Sequence, residues 1–115
     1  MYLKLEESYY VGSNEVFLSV TVGQGQPGYV RVRLDGRLIA DGNDSLKRVS
    51  LGDGDELHGS VIEVLTTVTD TNPQHNRTSV EHLLEGGAAD ERFLMAYEFD
   101  RPRQTAIYDA RFELI

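Results

Sequence analysis

Val30-Arg31-Val32-Arg33-Leu34-Asp35-Gly36-Arg37-Leu38-Ile39-Ala40 is the stretch that decides the fold. Val30, Val32 and Leu34 point one way and Tyr29, Arg31 and Arg33 the other, the period-two alternation of a half-buried strand. Asp-Gly tolerates the positive φ angles of a type I′ turn, so Asp35-Gly36 predicts a tight hairpin into Arg37-Leu38-Ile39-Ala40.

The same alternation extends outward in both directions. Val16, Leu18, Val20 and Val22 share one face of a preceding strand, opposite Glu15, Ser19 and Thr21. After the turn cluster Asp41-Gly42-Asn43-Asp44 a strand is expected over Leu46–Leu51, closed by Gly52-Asp53-Gly54-Asp55. A β-branched run follows over residues 57–70, with Ile62, Val64, Thr66 and Val68 on one face. Pro73 and its polar neighbours then predict a turn and a long hairpin to residues 77–85. Phe93, Met95, Tyr97 and Phe99 alternate, as do Ala106, Tyr108, Ala110, Phe112 and Leu114, and Arg101-Pro102-Arg103 separates the two runs. Residues 79–99 also admit two short helices after Ser79, but the unbroken alternation from Phe93 to Phe99 favours strands. Apolar residues run nearly to the C-terminus, and the terminal strands are expected to pair within the chain.

Turn signals recurring about every 8–12 residues make the expected fold all-β, an antiparallel two-sheet sandwich of about 7–9 strands. In outline this resembles immunoglobulin-like sandwiches, in architecture alone, because the chain has no Cys and no Trp and so lacks their core signature. Its 115 residues predict one domain over residues 1–115. A hydrophobic content of 40% supplies a core for a soluble protein.

With 19 acidic against 11 basic residues the net charge is −8, which disfavours phosphate backbones and anionic lipid, so neither nucleic acid nor membrane insertion is expected. The absence of cysteine removes thiolate metal sites and cysteine nucleophiles. No secretory signal precedes the first strand, which gives a cytoplasmic expectation, although a chain trimmed of its leader would read the same.

Candidate chemistry is sparse. Asp53, Asp55 and Glu56 are the best candidates for a calcium site, since hard cations take several oxygen ligands from loops; simple reversals would gather them with Asp35, Asp90 and Glu91 at one end of the sandwich. The plainer reading is that Asp and Gly are what tight turns require. His58, His75 and His82 lack metal-binding spacing, and His82, on a face with Val80 and Leu84, is expected to be a partly buried histidine bonded to a neighbouring backbone group. Gly23–Gly28 lacks the Gly-Lys-Ser/Thr ending of a phosphate loop and is taken as a flexible connection. No nucleophile motif supports an enzyme. Tyr29, Arg31 and Arg33, with Arg37 and Arg48 as expected neighbours, form an outward Tyr/Arg stripe of the kind found at interaction hot spots. The expectation is therefore a non-catalytic protein-interaction or assembly module without a cofactor, whose partner is another protein or a second copy of the chain. The alternative is a carbohydrate-binding module, calcium-assisted or not, with a small hydrolase ranking behind both.

Overall fold

A computed structural model describes residues 1–115. The alternating runs become nine strands: β1 (Tyr2–Tyr9), β2 (Glu15–Val22), β3 (Gly28–Leu34), β4 (Arg37–Asn43), β5 (Ser45–Asp53), β6 (Val61–Thr69), β7 (Arg77–Glu85), β8 (Glu91–Glu98) and β9 (Thr105–Leu114). Hydrogen bonding sorts them into a five-stranded sheet A, ordered β1-β9-β6-β3-β4, and a four-stranded sheet B, ordered β5-β2-β7-β8. The fold is an all-β two-sheet sandwich. Every ladder is antiparallel except that between the terminal strands, where β1 runs parallel to β9 from Tyr2↔Ile107 to Tyr9↔Leu114.

Because each inward side chain must meet the opposite sheet, the alternation read from sequence is also the burial pattern. Val16, Leu18 and Val20 of β2, Val30 and Val32 of β3, and Ile62, Val64 and Val68 of β6 are fully buried in one core cluster of 21 residues. Strand β9, flanked on both sides, contributes Ala106, Tyr108, Ala110, Phe112 and Leu114 to that core. Its small residues alternate with its large ones, which lets it interdigitate with sheet B. The Tyr108 hydroxyl bonds Thr78 Oγ1 at 2.5 Å, and that hydroxyl in turn donates to the Tyr97 carbonyl at 2.9 Å, a polar bolt between the sheets. Residues 79–99 are strand, not helix.

The Asp35-Gly36 hairpin forms with φ angles of 49° and 85°, both positive as a type I′ turn requires. The expected hairpin from residues 57–70 to residues 77–85 does not form. Strand β6 lies in sheet A between β9 and β3, whereas β7 lies in sheet B between β2 and β8. Periodicity fixes which face of a strand is buried but not which neighbour it takes, and the intervening loop crosses from one layer to the other. Gly52-Asp53-Gly54-Asp55 likewise does more than turn, since Gly54–Leu57 form a single helical turn, α1, that packs on β5 and buries Leu57.

The crossing after β6 is organised by a residue from the glycine-rich segment, which is not the plain flexible link expected of it. Gln26 is 5% exposed; its amide donates to Asp70 Oδ1 at 2.8 Å and to the Arg77 carbonyl at 3.0 Å, while its oxygen accepts from the Thr71 and Asn72 amides, each at 2.8 Å. Gln26→Ala strands several buried polar groups at once and is expected to cost about 3 kcal/mol, read as a lowered urea midpoint with an unchanged slope. Gln26→Glu keeps an acceptor but sets a carboxylate against buried Asp70, and is expected to be no milder.

Candidate functional site

Three rows of outward residues cross all five strands of sheet A. Nearest the start of β1 runs Asn43, Tyr29, Thr67, Ile107 and Tyr2. Next comes Asp41, Arg31, Leu65, Asp109 and Lys4, and above it Leu38, Arg33, Glu63, Arg111 and Glu6. The alternation of β3 thus delivers Tyr29, Arg31 and Arg33 to one face, and the pairing of β6, β9 and β1 sets the remaining side chains beside them.

Two tyrosines flank a hollow of about 530 Å³ in the lower rows, floored by Leu65, Thr67 and Ile107 and edged by Arg31. Each ring is held by its hydroxyl. Tyr29 donates to Asp41 Oδ2 at 2.5 Å and Tyr2 donates to Asp109 Oδ2. Those bonds to carboxylates hold both phenols above the usual tyrosine range, since ionising either would set two anions together. The Arg31 guanidinium lies 5.3 Å from the Tyr29 ring centre and the Lys4 ammonium 5.7 Å from that of Tyr2, both within cation–π range.

Asp109 is the unusual member. It lies on the outward side of its strand yet is only 5% exposed, and its Oδ1 has no hydrogen-bond partner. Burial raises the carboxyl of neighbouring Glu63 above its ordinary range, and hydrogen bonding to Asp109 and the charge of that carboxylate raise it further. Glu63 also meets Arg111 at 3.8 Å, a distance that contributes little at a half-exposed surface. Arg31 and Arg33 make no ion pair within 4.0 Å.

The other expected site residues are placed elsewhere. Arg48 does not join the stripe: it belongs to β5 in sheet B, its guanidinium 4.2 Å from the Phe17 ring centre and its Nε 3.9 Å from Glu85. The chain changes layer at Asp44, a single residue with φ of 66° between β4 and β5, so sequence proximity to β4 does not bring Arg48 near β3. Arg37 stands at the hairpin end opposite Leu34, out of phase with Arg33. Asp53 caps α1 without a side-chain hydrogen bond, and Asp55 and Glu56 occupy its first turn.

Strand directions do put these acidic residues at the same end as Asp35, Asp90 and Glu91. However, Asp35 Oδ1 accepts from the Val61 amide at 2.8 Å and Asp90 Oδ1 from the Gly86 amide at 3.4 Å, as turn residues do. No group of three or more His, Cys, Asp or Glu side chains is placed to hold a metal ion. Thermal unfolding in excess calcium and in excess chelator is therefore expected to coincide. Saturation of a site at 100 times its dissociation constant would separate the curves by about 2.7 kcal/mol.

Tyr2, Leu65, Ile107 and Asp109 were not legible as site residues. The one available signal was Asp109 itself, the first charged residue in the run from Ala106 to Leu114, where Ile107 precedes it on the same face. No helix is long and apolar enough to cross a membrane. Comparison with protein-family models, curated proteins and solved structures finds no match.

Proposed function

We propose that the chain is a non-catalytic protein-interaction module that binds through the outer face of sheet A. The observation that carries this reading is electrostatic. Lys4, Arg31, Arg33 and Arg111 balance Glu6, Asp41, Glu63 and Asp109, so the three rows are neutral in a chain whose net charge is −8. A neutral face with exposed Tyr2, Leu38 and Ile107 has the tyrosine, arginine and aliphatic composition of interface centres, while the acidic remainder keeps other surfaces apart. The test is affinity capture with the wild-type chain and with Tyr29→Ala and Arg31→Ala. A partner retained by the wild type and lost by both variants supports the reading, and capture unchanged by either substitution removes it.

A carbohydrate ligand is the second reading, favoured by the two pinned tyrosine rings on either side of a hollow with carboxylate and guanidinium groups at hand. Saccharide binding on a glycan array that is lost in Tyr2→Ala and Tyr29→Ala would replace the first reading with this one.

A further inference from the structure

Two groups on the outer face of sheet A are left incomplete within the chain. Arg31 and the nearly buried carboxylate of Asp109 each lack an ion pair, and Asp109 Oδ1 receives no hydrogen bond from a cationic or amide group. They flank Leu65 in the middle row, Arg31 on β3 and Asp109 on β9. We propose that the partner this face fits is a second copy of the chain, packed sheet on sheet about a two-fold axis that runs parallel to the strands over Leu65. The inference rests on the protein-binding reading above and names the partner.

Such an axis reverses each row over its own copy. The middle row then sets Asp41 opposite the other copy's Lys4, Arg31 opposite its Asp109, and Leu65 opposite its Leu65, and all of its charges meet opposite charges. The lower row sets Tyr29 opposite Ile107 and Tyr2 opposite Asn43, so that the two hollows close over one another. The upper row does not match, because Arg33 would meet Arg111 and Glu63 would meet itself. The sheets therefore meet over the lower two rows and part above them. To reach Asp109 the incoming guanidinium displaces the Tyr2 hydroxyl, and its planar fork can serve both carboxylate oxygens at once.

Size sets the strength. Five strands spaced about 4.8 Å apart, over two rows and their margins, offer about 400 Å² per copy, roughly half of a standard interface. The dimer is accordingly weak, visible between about 10 µM and about 500 µM. The neutrality of the three rows favours this contact, since the net charge of −8 makes two copies repel each other on average.

The experiment is sedimentation velocity on the full chain over that concentration range. The wild type is expected to shift from monomer to dimer. Lys4→Glu and Asp41→Lys, both at exposed positions, are each expected to weaken self-association at least tenfold, by placing like charges opposite one another. An equimolar mixture of these two variants is expected to recover a heterodimer, because each then meets its opposite at both symmetry-related contacts. Arg31→Glu is expected to abolish the dimer, and circular dichroism checks that each variant is folded. A wild type that stays monomeric throughout overturns the inference. If capture of a foreign protein is still lost on Arg31→Ala in that case, the broader protein-binding reading stands without it. A dimer indifferent to Lys4→Glu and Asp41→Lys, or a mixture that does not recover, overturns the proposed packing.

Discussion

Gly86→Ala is expected to cost more than about 4 kcal/mol, enough to unfold much of a domain whose total stability is about 5–15 kcal/mol. Gly86 opens the β7–β8 turn with φ of +95°, and a Cβ there would stand 2.0 Å from the Glu15 carbonyl oxygen and 3.2 Å from Val16 Cα. Both obstacles are main chain at the start of β2, a strand buried in the centre of sheet B, so neither can move without breaking its ladders. Gly36→Ala provides the control. Its φ is +85°, but nothing lies within 4 Å of the added carbon. It is expected to lose only the conformational part, about 1 kcal/mol, so the gap between the two thermal midpoints isolates the collision.

Acidification below neutrality should weaken the fold through His82. Its ring is fully buried against Phe112, at 5.7 Å between centroids; Nδ1 lies 3.2 Å from the Phe93 carbonyl, and Nε2 has no partner. Burial lowers its pKa from 6.5 to about 4. Above pH 6.5 the imidazole is neutral both folded and unfolded. As the pH falls from 6.5 towards 4, the unfolded chain takes up a proton that the folded chain refuses, and stability is lost over that window. The fall from 6.5 to about 4 corresponds to about 3 kcal/mol. His82→Phe keeps an aromatic ring against Phe112 and removes the titration. Carboxylates contribute to both proteins, so the measurement is the difference in urea stability between wild type and variant at pH 7.5 and at pH 4.5. The variant is expected to gain on the wild type by roughly 2–3 kcal/mol at the lower pH, and a constant difference would remove His82 as the cause.

The strands themselves were legible because burial in a two-layer protein is written in alternate residues, as Val16, Leu18 and Val20 show against Glu15, Ser19 and Thr21. Asp35-Gly36 fixed one hairpin locally. Partner choice was not legible: β6 could satisfy its inward face beside β7 or beside β3 and β9, and side chains distant in sequence, Gln26 above all, hold the crossing that excludes the first. The candidate face divides in the same way. Tyr29, Arg31 and Arg33 follow from periodicity within one strand, whereas Tyr2 and Asp109 become neighbours only through a pairing of strands from opposite ends of the chain. Arg48 shows the converse, lying near β4 in sequence and in the other sheet in space.

The parallel pairing of β1 with β9 also determines how the molecule bears load. Because the two strands point the same way, Met1 and Ile115 leave from opposite ends of a body 45 Å long. Tension between the termini draws β1 and β9 past each other along their length, so the hydrogen bonds of the eight-residue register are loaded together, not peeled one after another. An antiparallel pairing of the same strands would bring both termini to one end and let the seam open like a zipper. Pulled from its ends, this sandwich is therefore built to resist as a mechanical clamp.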